Sequence, residues 1–204
     1  VESASAVSFL PMTGLGIGTS FHRLDRPTPE PGQLAGTAVK PVAPHFFRTM
    51  GIRHISGRDF TAMDTIDSPQ VAIVSEALVR QQYPNEDPLG KRMNVSIGSA
   101  PGGMNVEIVG VVGDITQVQL DGAMQPAVYI PYTQLPIGVM TFVLRTPLEP
   151  TSLTAGVAAA VREVDPNLPL ADVASMTDVV NATLARPRAV STLIVAFALI
   201  ALVL

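Results

Sequence analysis

The spacing of apolar positions changes several times along this chain, and each change marks an element. In VESASAVSF, Val1, Val7 and Phe9 fall at even spacing and predict a strand over residues 1–9. Residues 10–36 break that pattern with Pro11, Pro27, Pro29 and Pro31 and with five glycines, so they predict a loop holding a short strand at Ser20–Leu24. Thr37–Ala43 reads as extended. Pro44–Met50 opens with a proline suited to an early helical position, and Gly51 stops that helix. Gln70–Val74 is an apolar strand, Ser75 is the N-cap of a helix over Glu76–Tyr83, and Pro84 ends it. The turn-rich Asn85–Gly90 leads to strands at Lys91–Ser96 and Val106–Val112 around a Gly-rich loop at Gly98–Gly103. The second of these strands is nearly all apolar, so both its faces are expected to be covered. Ala127–Pro131 and Thr141–Arg145 are two further strands.

The period then becomes helical. Thr151 is placed to cap a helix running to about Val164, in which Leu153, Val157, Val161 and Val164 recur on one face. Pro166 and Pro169 break the chain, Leu170–Ala174 reads as a strand and Thr177–Ala185 as a helix. Strands and helices interleave without regular βαβ spacing, which makes the fold class α+β. Thr141–Ala174 forms one strand–helix–strand unit. VESASAV is similar to PLADVAS, which follows its helix, so Val1–Phe9 reads as the last strand of a second such unit whose beginning is expected upstream of Val1.

From Ala189 all periodicity is lost. AVSTLIVAFALIALVL holds 16 residues with nothing more polar than Ser191 and Thr192. At 1.5 Å per residue it spans ~24 Å, against a hydrocarbon core of ~30 Å. Apolar residues on every face do not suit a helix with one side in water. The run is expected to begin a transmembrane helix; a buried core helix is the other reading. Arg186 and Arg188 precede it, and the positive-inside rule alone would put that flank in the cytoplasm.

Composition narrows the function. The 204 residues allow one domain or two small ones. Apolar residues at 47% exclude intrinsic disorder. A net charge of −4, with Lys40 and Lys91 the two lysines, argues against a nucleic-acid binder. The absence of cysteine excludes a disulfide scaffold, a thiol nucleophile and a Cys-ligated metal.

The remaining candidates for chemistry are weak. Gly14-Leu-Gly-Ile-Gly18 lacks the helix a dinucleotide loop needs directly after it, and reads as a flexible loop. Asp59, Asp64 and Asp67 lack the central Gly and terminal Glu of a calcium loop and read as a solvated turn. His22, His45 and His54 have no metal-pair spacing, and His45 and His54 read as partly buried packing residues. Ser75 lies between strand and helix without the flanking glycines of a nucleophile elbow, so capping is its role. No catalytic, cofactor-binding or metal-ligating residue is assigned, no cofactor is implied, and the chain is read as not an enzyme.

Six stretches in order carry a resemblance: Phe46-Phe-Arg-Thr-Met-Gly-Ile52, Gly57-Arg-Asp-Phe60, Val71-Ala-Ile-Val-Ser-Glu76, Asp87-Pro-Leu-Gly-Lys-Arg92, Val109-Gly-Val-Val-Gly-Asp114 and Val128-Tyr-Ile-Pro131, followed by Arg186-Pro-Arg188 and the apolar run. Together they resemble the MacB-like periplasmic core domain of FtsX-like ABC transporter permeases, close to the duplicated permeases of acidobacterial type. The resemblance implies an extracytoplasmic domain over 1–185 between two transmembrane helices. A Porter lobe (1–9 and 141–174) would carry an inserted β-rich Sabre lobe (10–140), and 189–204 would begin the second transmembrane helix. It implies a bacterial inner-membrane location with 1–185 in the periplasm, which overrides the charge rule, since only one flank of the helix is in hand. Implied partners are the membrane, an ABC ATPase subunit or domain, a second permease copy and a periplasmic adaptor, with no nucleic acid. The implied function is transmission of ATP-driven transmembrane movement to the periplasmic side, for export or mechanotransmission. Thr177–Ala185 would be the lever and Pro187 a point of limited kinking. The competing expectation is a membrane-anchored extracytoplasmic binding module without mechanical coupling, with Leu10–Gly36 as its binding loop. Gly57, Gly90 and Pro88 read as turn-setting residues.

Overall fold

The computed structural model describes residues 1–11, 13, 16–30, 32–98, 102–115, 125–167 and 173–182. The chain divides into two compact units, Val1–Arg145 and Thr146–Leu204. Among the described residues the first holds nine strands: β1 (Ser3–Val7), β2 (Ile17–Arg23), β3 (Ala35–Val42), β4 (His54–Gly57), β5 (Val71–Ser75), β6 (Arg92–Val95), β7 (Met104–Val112), β8 (Ala127–Pro131) and β9 (Thr141–Arg145). It also holds two short helices, α1 (Phe46–Met50) and α2 (Glu76–Gln82).

Six of the strands close on themselves. The order β2-β6-β7-β5-β8-β3 returns to its start because β2 also pairs with β3, from Ile17↔Val39 to Phe21↔Ala35. Two of the six pairings, β3–β8 and β5–β7, are parallel and the rest antiparallel. Closure leaves these strands no free edge. β1 and then β9 extend the sheet from β3, and β4 pairs with β7.

Alternation along the strands sorts side chains into two cores. Phe21, Val39, Ala72, Val74, Met93, Val95, Val106, Ile108, Val128 and Ile130 fill the interior of the barrel, with Leu78 of α2 and Tyr83 just beyond it. The opposite faces of β3, β5 and β8 supply Val42, Ile73, Ala127 and Tyr129 to a second core built round Phe46, Phe47 and Phe60. β7 alternates from Met104 to Ile108. Its register against β5 then slips between Ala72 and Ile73, after which Val111 joins the first core and Val112 the second. Both faces of β7 are therefore covered only in its second half.

Local signals place most of these elements. Gly51 takes φ 70° to end α1, Gly57 takes φ 78° and Gly90 φ 74°. A Cβ on Gly57 would collide with the Val109 carbonyl oxygen. Ser75 caps α2, its hydroxyl accepting from Leu78 N at 3.4 Å, and also accepts from Ala127 N at 3.0 Å. Lys91 N donates to Pro88 O at 3.1 Å, closing the turn before β6.

Several expectations are corrected. β2 runs from Ile17 to Arg23 where a shorter strand was expected at Ser20–Leu24, so Gly18 lies in a strand of the barrel. β4, whose residues His-Ile-Ser-Gly carry no strong strand signal, pairs with β7 all the same. In the second unit a 3-10 turn at Pro150–Leu153 precedes α3 (Thr154–Val164); the N-cap position is Leu153, with no side-chain cap, rather than Thr151. The helix expected at Thr177–Ala185 is present from residue 176, with residues 183–185 outside the described residues. It opens with a capping box: Asp178 N donates to Ser175 Oγ at 3.1 Å, while Ser175 N donates to Asp178 Oδ2 at 3.3 Å. Of the strand expected at Leu170–Ala174, residues 170–172 lie outside the described residues, and Val173 and Ala174 are irregular. The apolar run 189–204, with Arg186, Pro187 and Arg188, also lies outside them. Among the described residues no helix is long and apolar enough to cross a membrane.

Candidate functional site: a clamped strand pair at the end of the sheet

β1 and β9 pair antiparallel over five residues, from Ser3↔Arg145 to Val7↔Thr141, and Glu2 N adds a bond to Arg145 O at 2.8 Å. The first and last strands of the unit therefore lie side by side, with the N-terminus of one next to the C-terminus of the other. β1 joins the barrel through Val7↔Val42, and through Ser8 N to Pro41 O (3.0 Å) and Ala43 N to Ala6 O (2.8 Å).

A second attachment runs through α1. Ser3 Oγ and Thr49 Oγ1 share a hydrogen bond of 2.6 Å, and Arg145 Nε donates to Thr49 O at 2.9 Å. A guanidinium at the last carbonyls of a helix is favoured by its dipole. Ser5 Oγ reaches the Ala43 and Pro44 carbonyls at 3.2 and 3.0 Å. α1 is itself anchored, since Phe47 packs edge-on to Tyr129 of β8 at 4.9 Å between centroids and tilted against Phe60 at 6.2 Å. Ser3 and Arg145, both meeting Thr49, thus tie both strands to a helix whose aromatic side chains are buried in the barrel's outer core.

Two buried cations flank the barrel. Arg23, 5% exposed at the end of β2, lies over the Tyr83 ring at 4.2 Å. It donates to both oxygens of Asp25 (2.8 and 2.6 Å), to Glu86 Oε2 (2.8 Å) and to Gln82 O (2.6 Å). The hydrogen bonds to Asp25 and Glu86 hold the Arg23 pKa above its ordinary value. The same bonds hold both carboxylates below theirs. Burial pushes the Tyr83 phenol up to about 12. Lys40 of β3, 2% exposed on the face shared with Val42, donates to Phe9 O at 3.4 Å. Burial alone lowers its pKa to about 8.

The residues weighed from the sequence fall elsewhere. Asp64 is 5% exposed, gripped by Arg58 at 2.9 and 2.8 Å and by Thr61 N at 2.8 Å, so it organises a turn rather than sitting in a solvated one. His45 and His54 are exposed, not packing residues; His45 takes φ 67° ahead of α1. His22 is half-buried in β2, and Asp67 is exposed. Among the described residues no three of His, Asp and Glu converge. The clamp of Ser3, Thr49 and Arg145 was not predicted; its one local signal is a threonine between two phenylalanines and a helix-ending glycine.

The first unit is thus a closed barrel carrying a laterally attached strand pair. The family model for the MacB-like periplasmic core domain matches residues 5–185, and the chain belongs to that family. It is an extracytoplasmic domain of the MacB- and FtsX-like ABC transporter permeases, membrane proteins that work with ATPase subunits. The fold is similar to the crystal structure of the periplasmic region of MacB from Actinobacillus actinomycetemcomitans: TM-score 0.54, 16% identity, covering 80% of this chain and 67% of that one. It is also similar to a domain of a putative permease protein from Porphyromonas gingivalis: TM-score 0.50, 20% identity, covering 80% and 70%. No curated protein matches the sequence.

Proposed function

We propose that this domain transmits ATP-driven movement of transmembrane helices to the extracytoplasmic side, in export or in mechanotransmission without cargo. The clamped strand pair carries the reading. Because Ser3 faces Arg145, the chain leaves the first unit beside the start of β1, at one end of one strand pair. Force applied there reaches the barrel through β3 and through α1, not through a loop. Coupling of this kind needs an element with two discrete arrangements, and a stiff attachment lets such a change propagate.

In this reading residues 1–9 and 141–174 belong to the Porter lobe and 10–140 to the inserted lobe. All six barrel strands lie between Ile17 and Pro131, which supports that division. Residues 189–204 begin the transmembrane helix, 1–185 occupy the periplasm of a bacterial inner membrane, and 177–185 form the lever. The partners are an ABC ATPase subunit or domain, a second permease copy and a periplasmic adaptor.

A flexible Gly-Ser insert after Ala185 in the whole protein tests the coupling. The expected result is at least a tenfold loss of transport or complementation at unchanged membrane level. The same insert after Glu30, in the exposed connection between β2 and β3, should leave activity intact. Unchanged activity with the insert after Ala185 overturns the proposal.

A further inference from the structure

The turn between β4 and β5 is built more firmly than its exposure requires. One half hangs on Phe60, 3% exposed in the aromatic core, and on buried Asp64 with its bidentate Arg58 partner. The other half hangs on Gln134, 5% exposed, whose amide donates to Thr65 O, Ser68 Oγ and Pro69 O at 3.0–3.1 Å while its oxygen accepts from Val71 N at 3.0 Å. Thr133 Oγ1 donates to Asp64 O at 2.5 Å. Out of this frame project Met63 and Ile66, 80% and 62% exposed.

Two large apolar side chains in water on a turn so fixed are a display, since the ordering entropy of binding is largely spent in folding. We infer that the turn is a protein-docking knob: Met63 and Ile66 seat in an apolar groove with a basic rim on a separate protein. Charge selects the partner. Residues 59–70 contain Asp59, Asp64 and Asp67 and no Lys, Arg or His. Arg58 offsets Asp64, so Asp59 and Asp67 leave the knob negative. That repels an anionic lipid surface and complements Arg or Lys beside a groove. Methionine adapts its shape to such a groove.

The test places a photo-crosslinking amino acid at Met63 or Ile66, with Glu30 as the control position, in the whole permease in its own membrane. The expected result is one adduct of the same protein from both positions, absent from Glu30, and weakened at least threefold by Asp67→Lys. Adducts with lipid, adducts with a second copy of the permease, adducts indifferent to Asp67→Lys, or no adduct would each overturn the inference. The double variant Met63→Ser, Ile66→Ser supplies a fold-independent check. Both side chains are exposed, so its denaturation midpoint should match the parent while the adduct made from a probe at Ala62 disappears.

Discussion

Arg23 and Lys40 are both cations buried to within 5% of complete exclusion from water, yet the barrel treats them in opposite ways. At the barrel mouth the planar guanidinium meets two carboxylates, a carbonyl and an aromatic face at once. On the outer face the ammonium meets a carbonyl at 3.4 Å, and among the described residues no charged group offsets its burial. Taking a charge out of water is tolerable only where its donors find acceptors. Five donors in a fixed fork achieve that at Arg23. A lysine in a similar position lowers its pKa instead. The two sites therefore act on stability with opposite signs at neutral pH: the arginine holds the fold together, and the lysine strains it.

The most direct test of this contrast is Arg23→Ala. It removes the guanidinium between Asp25 and Glu86, leaving the pair to Lys91 at 3.3 and 3.5 Å, and uncovers Tyr83. The expected loss is about 1.5–3 kcal/mol, the worth of hydrogen bonds to a charged group, since the carboxylates left behind are partly exposed, read from urea denaturation. Arg23→Lys keeps the charge but not the fork, and should recover less than half of the loss. A full recovery by lysine would erase the distinction between the two sites.

Lys40→Met should act the other way. The Lys40 pKa is lowered from 10.5 to about 8 in the folded chain. Between those values the unfolded chain binds the proton and the folded chain does not, so stability rises with pH across that window. Below about pH 8 the folded protein carries the full penalty, and above 10.5 it carries none. At 1.36 kcal/mol per pH unit the penalty is roughly 3 kcal/mol. Lys40→Met should stabilise by up to that amount at pH 7, and the rise in denaturation midpoint from pH 8 to 10.5 should flatten. A variant less stable than the parent at pH 7 would show that the ammonium is better satisfied than its one carbonyl implies.

The sequence carried part of this contrast. In β2 the alternation of Phe21, His22 and Arg23 puts the arginine on the face of a core phenylalanine, but Gly16, Gly18 and the prolines beyond it mimic a loop and shorten the strand the sequence predicts. Lys40 stands among Val39, Pro41 and Val42, where any reading of burial needs the neighbouring strands. Elements set by local chemistry were legible: β8 and β9 to the residue, α1 with its terminating Gly51, and α2 with its Ser75 cap. Closure of the barrel was not, because β2 meets β6 across some seventy residues of sequence and no local signal encodes that pairing. The Ser3–Thr49–Arg145 clamp was hidden for the same reason, its members drawn from three distant segments. The buried role of Asp64 escaped because Arg58 and Asp64 bracket what looks like an ordinary polar turn.

The smallest expected effect tests the aromatic half of the Arg23 site. Tyr83 is 1% exposed, and its hydroxyl has no hydrogen-bond partner among the described residues. If the ring serves as a face for the guanidinium and as core, the hydroxyl contributes nothing, and a buried polar atom without a partner is unfavourable. Tyr83→Phe should therefore be neutral or stabilising by up to about 1 kcal/mol, since it keeps the apolar ring under the cation. Tyr83→Leu keeps much of the volume but removes the π face, and should cost about 1–2 kcal/mol more than Tyr83→Phe. Combining each with Arg23→Ala separates packing from cation–π attraction: the difference between Phe and Leu at position 83 should shrink once the guanidinium is gone. A loss above 1 kcal/mol for Tyr83→Phe would show instead that the hydroxyl is bound, and that the barrel mouth is held by a polar network reaching past Arg23.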